Sequence, residues 1–365
     1  MAQKGDKQKV NALIKAADSL KDKDIDKSRL ISLQSLSLSL KMNYDSGTGL
    51  AYKNLATLMM FQSDIRNSID TYKKAITYFE KAHYTRGIAD CYNNIALAFS
   101  VNSKFDSSMI FYQKNLELEE LLNDKISIAR TLENIGIAYY YQGYSQKAIT
   151  HFFKATTIYY DLRKFSLIYP NIVYISSVLS DMGYHRLSIR FHQIALIMAK
   201  FYNDTRVMSN CYNNIGFSYS NLGEHDKALE YLNYSLDLKD QLQDKEGMMI
   251  SLGIIGGIYQ AQERYDLSNQ VYTNIIKFAE EVDDKRQTAI GLTYIGENLR
   301  RQGKFDKAIN YYLHSLDILK PIRALNEIRD NYMFLTYAYQ QKKDFNQCKH
   351  CYANYKAYRD STKTN

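Results

Sequence analysis

Asparagine recurs at Asn54, Asn94, Asn134 and Asn214, spaced by multiples of 40 residues. An amide side chain donates and accepts at once, so a row of them on one surface can hold the backbone of an extended peptide. Lys53 and Arg130 belong beside that row, with Asn93, Asn213, Tyr140 and Tyr141, and the two cations suit an acidic side chain or a C-terminal carboxylate. At the register of the asparagines the chain also carries Tyr174, Ile254, Tyr294 and Phe334, so the later part of the surface is expected to take apolar groups. The chemistry this pattern implies is recognition.

Motifs that would imply a reaction are weaker. Cys348-Lys349-His350-Cys351 has the spacing of a redox pair or half a zinc site, but no second Cys/His pair accompanies it. Cys348 also falls where other segments place a small buried residue, so packing is its expected role. Gly253-Ile254-Ile255-Gly256-Gly257 follows no predicted strand and lacks the Lys-Ser/Thr ending of a phosphate loop. Seven histidines are scattered, and His192 is expected in a core. The sequence therefore predicts no catalytic residue, no metal site and no cofactor, and the chain is not expected to be an enzyme.

The elements that position the asparagines follow from a strict repeat. Ala56, Ala96, Gly136, Ser176, Gly216, Gly256, Gly296 and Thr336 are each 40 residues from the next. Three residues further on stands a large side chain, as in Phe99 and Tyr139; twelve on, a small one, as in Ser68 and Ala148; sixteen on, usually an aromatic, as in Tyr72, Tyr112, Phe152, Tyr272, Tyr312 and Tyr352, with His192 and Leu232 as departures. Two antiparallel helices approach closely where one presents Gly, Ala or Ser and a ring from the other fills the adjoining space. Turn signals at Gln142-Gly143-Tyr144, Leu222-Gly223-Glu224 and Gln302-Gly303-Lys304 fall within pairs. Polar tracts such as Asn123-Asp124-Lys125 and Asp283-Asp284-Lys285 separate pairs, and Pro321 lies just past a second helix.

This small, large, small, aromatic order resembles the tetratricopeptide repeat over nearly the whole chain. The 40-residue period exceeds that family's usual 34 residues by more than a helical turn and is similar to the repeats of kinesin light chain and of Pins-type proteins. The expected fold is all-α, a right-handed superhelix of antiparallel helix pairs. Residues 1–45 are expected to form a degenerate N-terminal capping pair and residues 46–365 seven to eight repeats in one continuous domain, since terminal repeats are commonly atypical. The resemblance puts the first helices on the concave side. It implies that Asn54, Asn94, Asn134 and Asn214 contact a protein or an extended peptide there, the alternative being that these amides only hydrogen-bond between neighbouring helices or face water.

Composition fits an ordinary globular chain, with 45% hydrophobic and 24% charged residues, 33 Tyr, no Trp and 2 Pro. So few prolines leave long stretches free of helix breakers. The tyrosines follow the repeat, so packing is expected of them rather than base stacking, and no direct nucleic-acid binding by the repeats is expected. No window approaches the roughly 18 apolar residues of a membrane span, and the opening residues lack a signal peptide's apolar stretch, so a soluble chain is the expectation. Four cysteines are too few for a disulfide scaffold. Net charge is +8, concentrated from Arg300 onward, where 13 Lys/Arg stand against 6 Asp/Glu, and a solvated helical face is the expected reading.

A second resemblance concerns role. Ala12 to Leu20 followed by Lys41-Met42-Asn43-Tyr44-Asp45, the tract Cys91-Tyr92-Asn93-Asn94-Ile95 and the ending Tyr355 to Ser361 are similar to the repeat region of Bacteroidetes signalling proteins. In those proteins a coiled coil and then a histidine kinase or DNA-binding output domain follow, so this chain is expected to be the sensory or scaffold part of such a protein. The resemblance implies a periplasmic sensor region, with a cytoplasmic location as the alternative, and it allows a homodimer. Two other roles are a free-standing adaptor and a Rap-like, peptide-regulated phosphatase of response regulators. The last would need an N-terminal helical bundle, and only about 42 residues precede the regular repeats.

Overall fold

The structure, a computed structural model, describes residues 2–361, and Lys363 of the basic end lies outside them. Eighteen α-helices and no strand occur among the described residues, and the chain divides into two compact units, Met1–Met182 and Gly183–Asn365. The first unit holds α1 (Ala2–Leu20), α2 (Ile25–Lys41), α3 (Asp45–Phe61), α4 (Ile65–Lys81), α5 (Thr85–Val101), α6 (Phe105–Leu121), α7 (Lys125–Tyr141), α8 (Ser145–Asp161) and α9 (Ile168–Asp181). The second holds α10 (His185–Phe201), α11 (Thr205–Asn221), α12 (His225–Gln241), α13 (Lys245–Ala261), α14 (Tyr265–Glu281), α15 (Lys285–Arg301), α16 (Phe305–Leu319), α17 (Leu325–Gln341) and α18 (Phe345–Ser361). No described helix is long and apolar enough to cross a membrane.

Most helices are 17 residues long and are joined by three-residue turns, so the 40-residue repeat is two copies of a 20-residue helix-and-turn unit. The turn is a left-handed C-cap. Gly143 has φ 79°, its N–H donates to the Tyr140 carbonyl and the Tyr144 N–H to that of Tyr139, both at 2.9 Å. The same left-handed residue recurs every 20 positions from Asn43 to Lys343, and only four are glycine. The polar tracts between pairs thus form the same joint as the Gly turns within pairs. The residue after the joint often caps the next helix: the carboxylates of Asp24, Asp64, Asp124, Asp204, Asp244 and Asp284 accept from the N–H three residues on.

One joint departs. Residues Phe165–Leu167 form a 3-10 turn and α9 begins only at Ile168. Pro170 has no N–H to donate backwards, so the α-helix starts late enough to hold it in the first turn, where that N–H would be unpartnered anyway.

The small positions do what their spacing predicts. A Cβ added to Gly136 would lie 2.8 Å from the Phe152 ring, one on Gly256 2.8 Å from Tyr272, and one on Gly296 2.8 Å from Tyr312. These contacts pack each first helix on its second. Cys348 differs: it is half-buried while Cys351 is buried, because no further described helix follows α18 to cover it. In the first unit each first helix also touches the next first helix, α1 with α3, α3 with α5, α5 with α7 and α7 with α9. The unit is therefore tightest along its first-helix side, which brings the predicted recognition residues onto one surface.

Candidate functional site

In the first unit a cleft of about 260 Å³ opens along α3, α5 and α7, lined by Lys53, Asp90, Asn93, Asn94, Glu119, Ser127, Arg130, Thr131 and Asn134. Five of these were expected at the surface from spacing alone: Lys53, Asn93, Asn94, Arg130 and Asn134. Helical periodicity brings them together. Residues three and four apart share a face, so Asp90, Asn93 and Asn94 of α5 stand beside Ser127, Arg130, Thr131 and Asn134 of α7.

The amides are linked to one another. Asn134 Nδ2 donates to Asn93 Oδ1 at 3.0 Å, and Asn93 Nδ2 reaches Asn94 Oδ1 at 3.5 Å. Lys53 Nζ donates to Asp90 Oδ2 at 2.7 Å. Burial pulls the Lys53 ammonium down, but Asp90 more than offsets it, so the group is held above its ordinary value and stays charged. Arg130 is exposed and makes no hydrogen bond or ion pair among the described residues. The cleft thus presents a free guanidinium, a satisfied ion pair and an amide row with acceptor capacity left over.

Asp90 and Glu119 escaped the sequence reading. Asp90 stands at the register of Arg130, four residues before its asparagine, so the spacing that marked Arg130 also marked Asp90. Glu119 carried no such signal. It lies on the second helix α6 and reaches the cleft floor, where Asn115 Nδ2 donates to Oε1 and Thr131 Oγ1 to Oε2, each at 2.9 Å. Burial pushes its carboxyl above the usual range against those two donors.

The remaining expected residues are engaged elsewhere. Asn54 Nδ2 donates to the Ile14 carbonyl of α1 at 3.3 Å. Tyr140 donates to Asp181 and lies 5.6 Å from the ring of Tyr141, which is 72% exposed. Glu133, next to Asn134, turns away from the cleft, accepting from the Tyr159 hydroxyl at 2.5 Å and Asn171 Nδ2 at 2.7 Å. Where the asparagine column carries an aromatic, the ring stacks on the aromatic of the preceding repeat. Tyr174 lies on Phe152 at 5.2 Å, Tyr294 on Tyr272 at 4.8 Å and Phe334 on Tyr312 at 5.8 Å. Asn214 makes the polar version of that contact, donating to His192 Nε2 at 3.2 Å. His192 is fully buried with Nδ1 against the Ser188 carbonyl, and burial pulls it down to about 4, so the ring is neutral and packs as expected.

Asn213 is buried, and its Oδ1 accepts from Ser251 Oγ at 2.7 Å and faces Lys239 Nζ at 3.5 Å. In the second unit the first-helix surface opens again between α15 and α17, a cleft of about 230 Å³ lined by Ile290, Thr293, Tyr294, Glu327, Asp330, Asn331 and Phe334. These occupy the registers of the first cleft, but Tyr294 and Phe334 replace the amides of Asn94 and Asn134, Asp330 replaces Arg130 and Glu327 replaces Ser127. Among the described residues no group of three or more His, Cys, Asp or Glu is placed to hold a metal.

Family models described as tetratricopeptide repeat match residues 209–242 and 247–320. No curated protein matches the chain in sequence. Among solved structures, the apo form of RapI is similar with a TM-score of 0.71 at 14% identity, covering 97% of this chain and 98% of that one. A Rap protein complexed with competence and sporulation factor gives 0.61 at 15% identity, over 97% and 98%. The apo form of the quorum sensor NprR from B. thuringiensis gives 0.66 at 15% identity, over 85% and 87%. At such identities these likenesses speak for the fold. With the family matches, the 40-residue register and the helix pairs it builds, the chain carries tetratricopeptide repeats, which indicate a protein-binding scaffold.

Proposed function

We propose that the first-helix surface binds an extended peptide or a protein segment, anchored in the cleft of the first unit, and that the chain serves as the sensory or scaffold region of a bacterial signal-transduction protein. The observation that carries the reading is the convergence of Asn93, Asn94 and Asn134 with an unpaired Arg130 in one cleft. A guanidinium with no hydrogen-bonded or ion-paired partner among the described residues, its field shared only with Glu133 and Tyr159, can take a carboxylate, and the Asn134 side-chain oxygen can take a backbone N–H. Asn54, Tyr140, Tyr141 and Tyr174 lie on the first helices of the same unit, and Asn213, Asn214 and Tyr294 stand at matching registers of first helices in the second unit. Screening a peptide library against the chain and then against Arg130→Ala and Asn94→Ala plus Asn134→Ala tests this. Each variant is expected to weaken a confirmed ligand at least about tenfold, the loss of one charged or two neutral hydrogen bonds. Unchanged affinity in both variants removes the ligand from this cleft.

A second reading, a Rap-like regulator of response regulators, is favoured by one observation. The likeness to RapI spans 97% of this chain, so α1 and α2 lie within a fold shared end to end. The shortness of the segment before the regular repeats therefore weighs less against this reading than the sequence implied. Faster loss of phosphate from a phosphorylated response regulator in the presence of the chain would support it, and an unchanged rate would remove it.

A further inference from the structure

Several second helices expose large apolar side chains, as α2 does with Leu30, Leu33 and Leu40 and α6 with Ile110 and Leu121, and α10 exposes four in one stripe. Leu187, Ile194, Ile197 and Phe201 are exposed on it, Ile197 by 69% and Phe201 by 78%. Their spacing puts them on one stripe about 20 Å long, with Arg190 inside it. At the register of Ile197 other second helices carry Ser37, Thr77, Glu117, Thr157, Asp237, Lys277 and Asp317; at that of Ile194 they carry Gln34, Lys74, Lys114, Lys154, Tyr234, Asn274 and His314. The apolar stripe is thus a property of α10 and not of the repeat. It also lies in a basic setting, since α10 contains Arg186, Arg190 and Lys200 and no Asp or Glu.

The neighbouring second helix of the same unit has the opposite character. Asp226, Glu230, Asp237 and Asp240 are exposed on one face of α12, with the exposed ring of Tyr234 among them. The two helices run in the same direction, because α11 packs antiparallel between them, and Arg186 meets Glu224 at the N-terminus of α12 at 3.5 Å. A basic apolar helix beside an acidic one is a surface complementary to its own two-fold copy.

We infer that this face is a homodimer interface, in which α10 of one copy lies parallel on α12 of the other about a two-fold axis running along the helices. Arg190, Ile194 and Lys200 stand at the registers of Glu230, Tyr234 and Asp240. Arg190 therefore meets the partner's Glu230, Lys200 meets the partner's Asp240, and Ile194 and Ile197 cover the partner's Tyr234. The two-fold axis makes each contact twice. An anionic lipid surface would also suit α10 alone, but the carboxylates of α12 on the same side oppose it. The inference stands apart from the peptide cleft, which lies on first helices of the other unit.

Sedimentation equilibrium of the full chain tests it. A species of twice the 42.4 kDa chain mass is expected. Ile197→Glu should raise the dimer Kd at least tenfold, and so should Arg190→Glu, while Arg190→Glu combined with Glu230→Arg should restore it. Unchanged thermal unfolding of these surface variants shows that folding is not the cause. A chain still monomeric at about 100 μM, where even a micromolar complex is populated, overturns the inference, whether or not it pellets with phosphatidylserine vesicles. So does a dimer indifferent to Ile197→Glu and Arg190→Glu, or one that the paired charge reversal fails to restore.

Discussion

Glu119 and Lys239 occupy the same register three repeats apart, one in each unit, on α6 and α12. Other second helices fill that position with buried Ser39, Phe79, Tyr159, Ala199, Ala279 and Leu319, and α18 with the half-buried Arg359. Glu119 is 6% exposed and Lys239 2%. Neither has an opposite charge in hydrogen-bond contact. Glu119 is held by donors, the Asn115 amide and the Thr131 hydroxyl. Lys239 is held by acceptors, the Gly247 carbonyl at 2.8 Å, Ser251 Oγ at 2.9 Å and Asn213 Oδ1 at 3.5 Å. Thr131 and Ser251 stand at equivalent positions, twelve residues after the charge they contact. One backbone geometry thus accepts either sign when the hydroxyl and amide around it are turned to match. The charges also lie under the recognition surface: Glu119 floors the first cleft, and Lys239 holds Asn213.

Reversing a charge should break this most severely. Lys239→Glu would set a carboxylate against the Gly247 carbonyl and Asn213 Oδ1 with no cation in contact, and a loss on the order of 4 kcal/mol is expected in denaturant unfolding. A loss under 1 kcal/mol would mean that the site opens to water readily. Next in size is the dependence on pH. Burial pulls Lys239 down to about 8 from 10.5, so between these values the unfolded chain holds a proton that the folded chain has shed. Stability should rise with pH across that window, by up to about 3 kcal/mol. Lys239→Met should flatten the rise and cost little or stabilise at pH 7. Glu119 gives the mirror image. Burial raises its carboxyl, so the folded chain keeps a proton that the unfolded chain has lost, and stability falls as pH climbs from 4.5 through the folded value. Glu119→Gln should remove that slope, and persistence of either slope in its variant would assign it to another group.

None of this burial was legible in the sequence. A lone Glu or Lys on an amphipathic helix reads as solvent-facing, and only the helix packed above it decides otherwise. The repeat was legible because close packing leaves a period: Gly136, Gly256 and Gly296 each admit one ring. The joints were half legible. Gly143, Gly223 and Gly303 announce the left-handed turn, but Ser63, Ser103, Glu263 and Lys343 hold the same conformation without glycine. Packing on both sides forces a backbone costing roughly 1 kcal/mol for such residues, so propensity loses to tertiary context. In the candidate site the asparagine column was readable as hydrogen-bonding, to a ligand or between neighbouring helices, yet the individual partners were not. Asn214 finds His192 and Asn54 finds the Ile14 carbonyl, contacts between neighbouring repeats that no single repeat encodes.

The smallest expected effects compare the two hydroxyls. Thr131→Val leaves Glu119 with the Asn115 amide alone, and Ser251→Ala removes the hydroxyl between Lys239 Nζ and Asn213 Oδ1. Each should cost about 1 kcal/mol at pH 7, the net worth of one buried hydrogen bond. Direct coupling to the charge makes the cost conditional. The Thr131→Val penalty should shrink in acid, where a protonated Glu119 no longer needs a second donor, and the Ser251→Ala penalty should shrink in the Lys239→Met background. A double-mutant cycle on denaturation midpoints at constant slope reads the difference. Equal penalties in both backgrounds would show that Ser251 serves Asn213 alone. The equivalence of the two sites would then be one of register and not of chemistry.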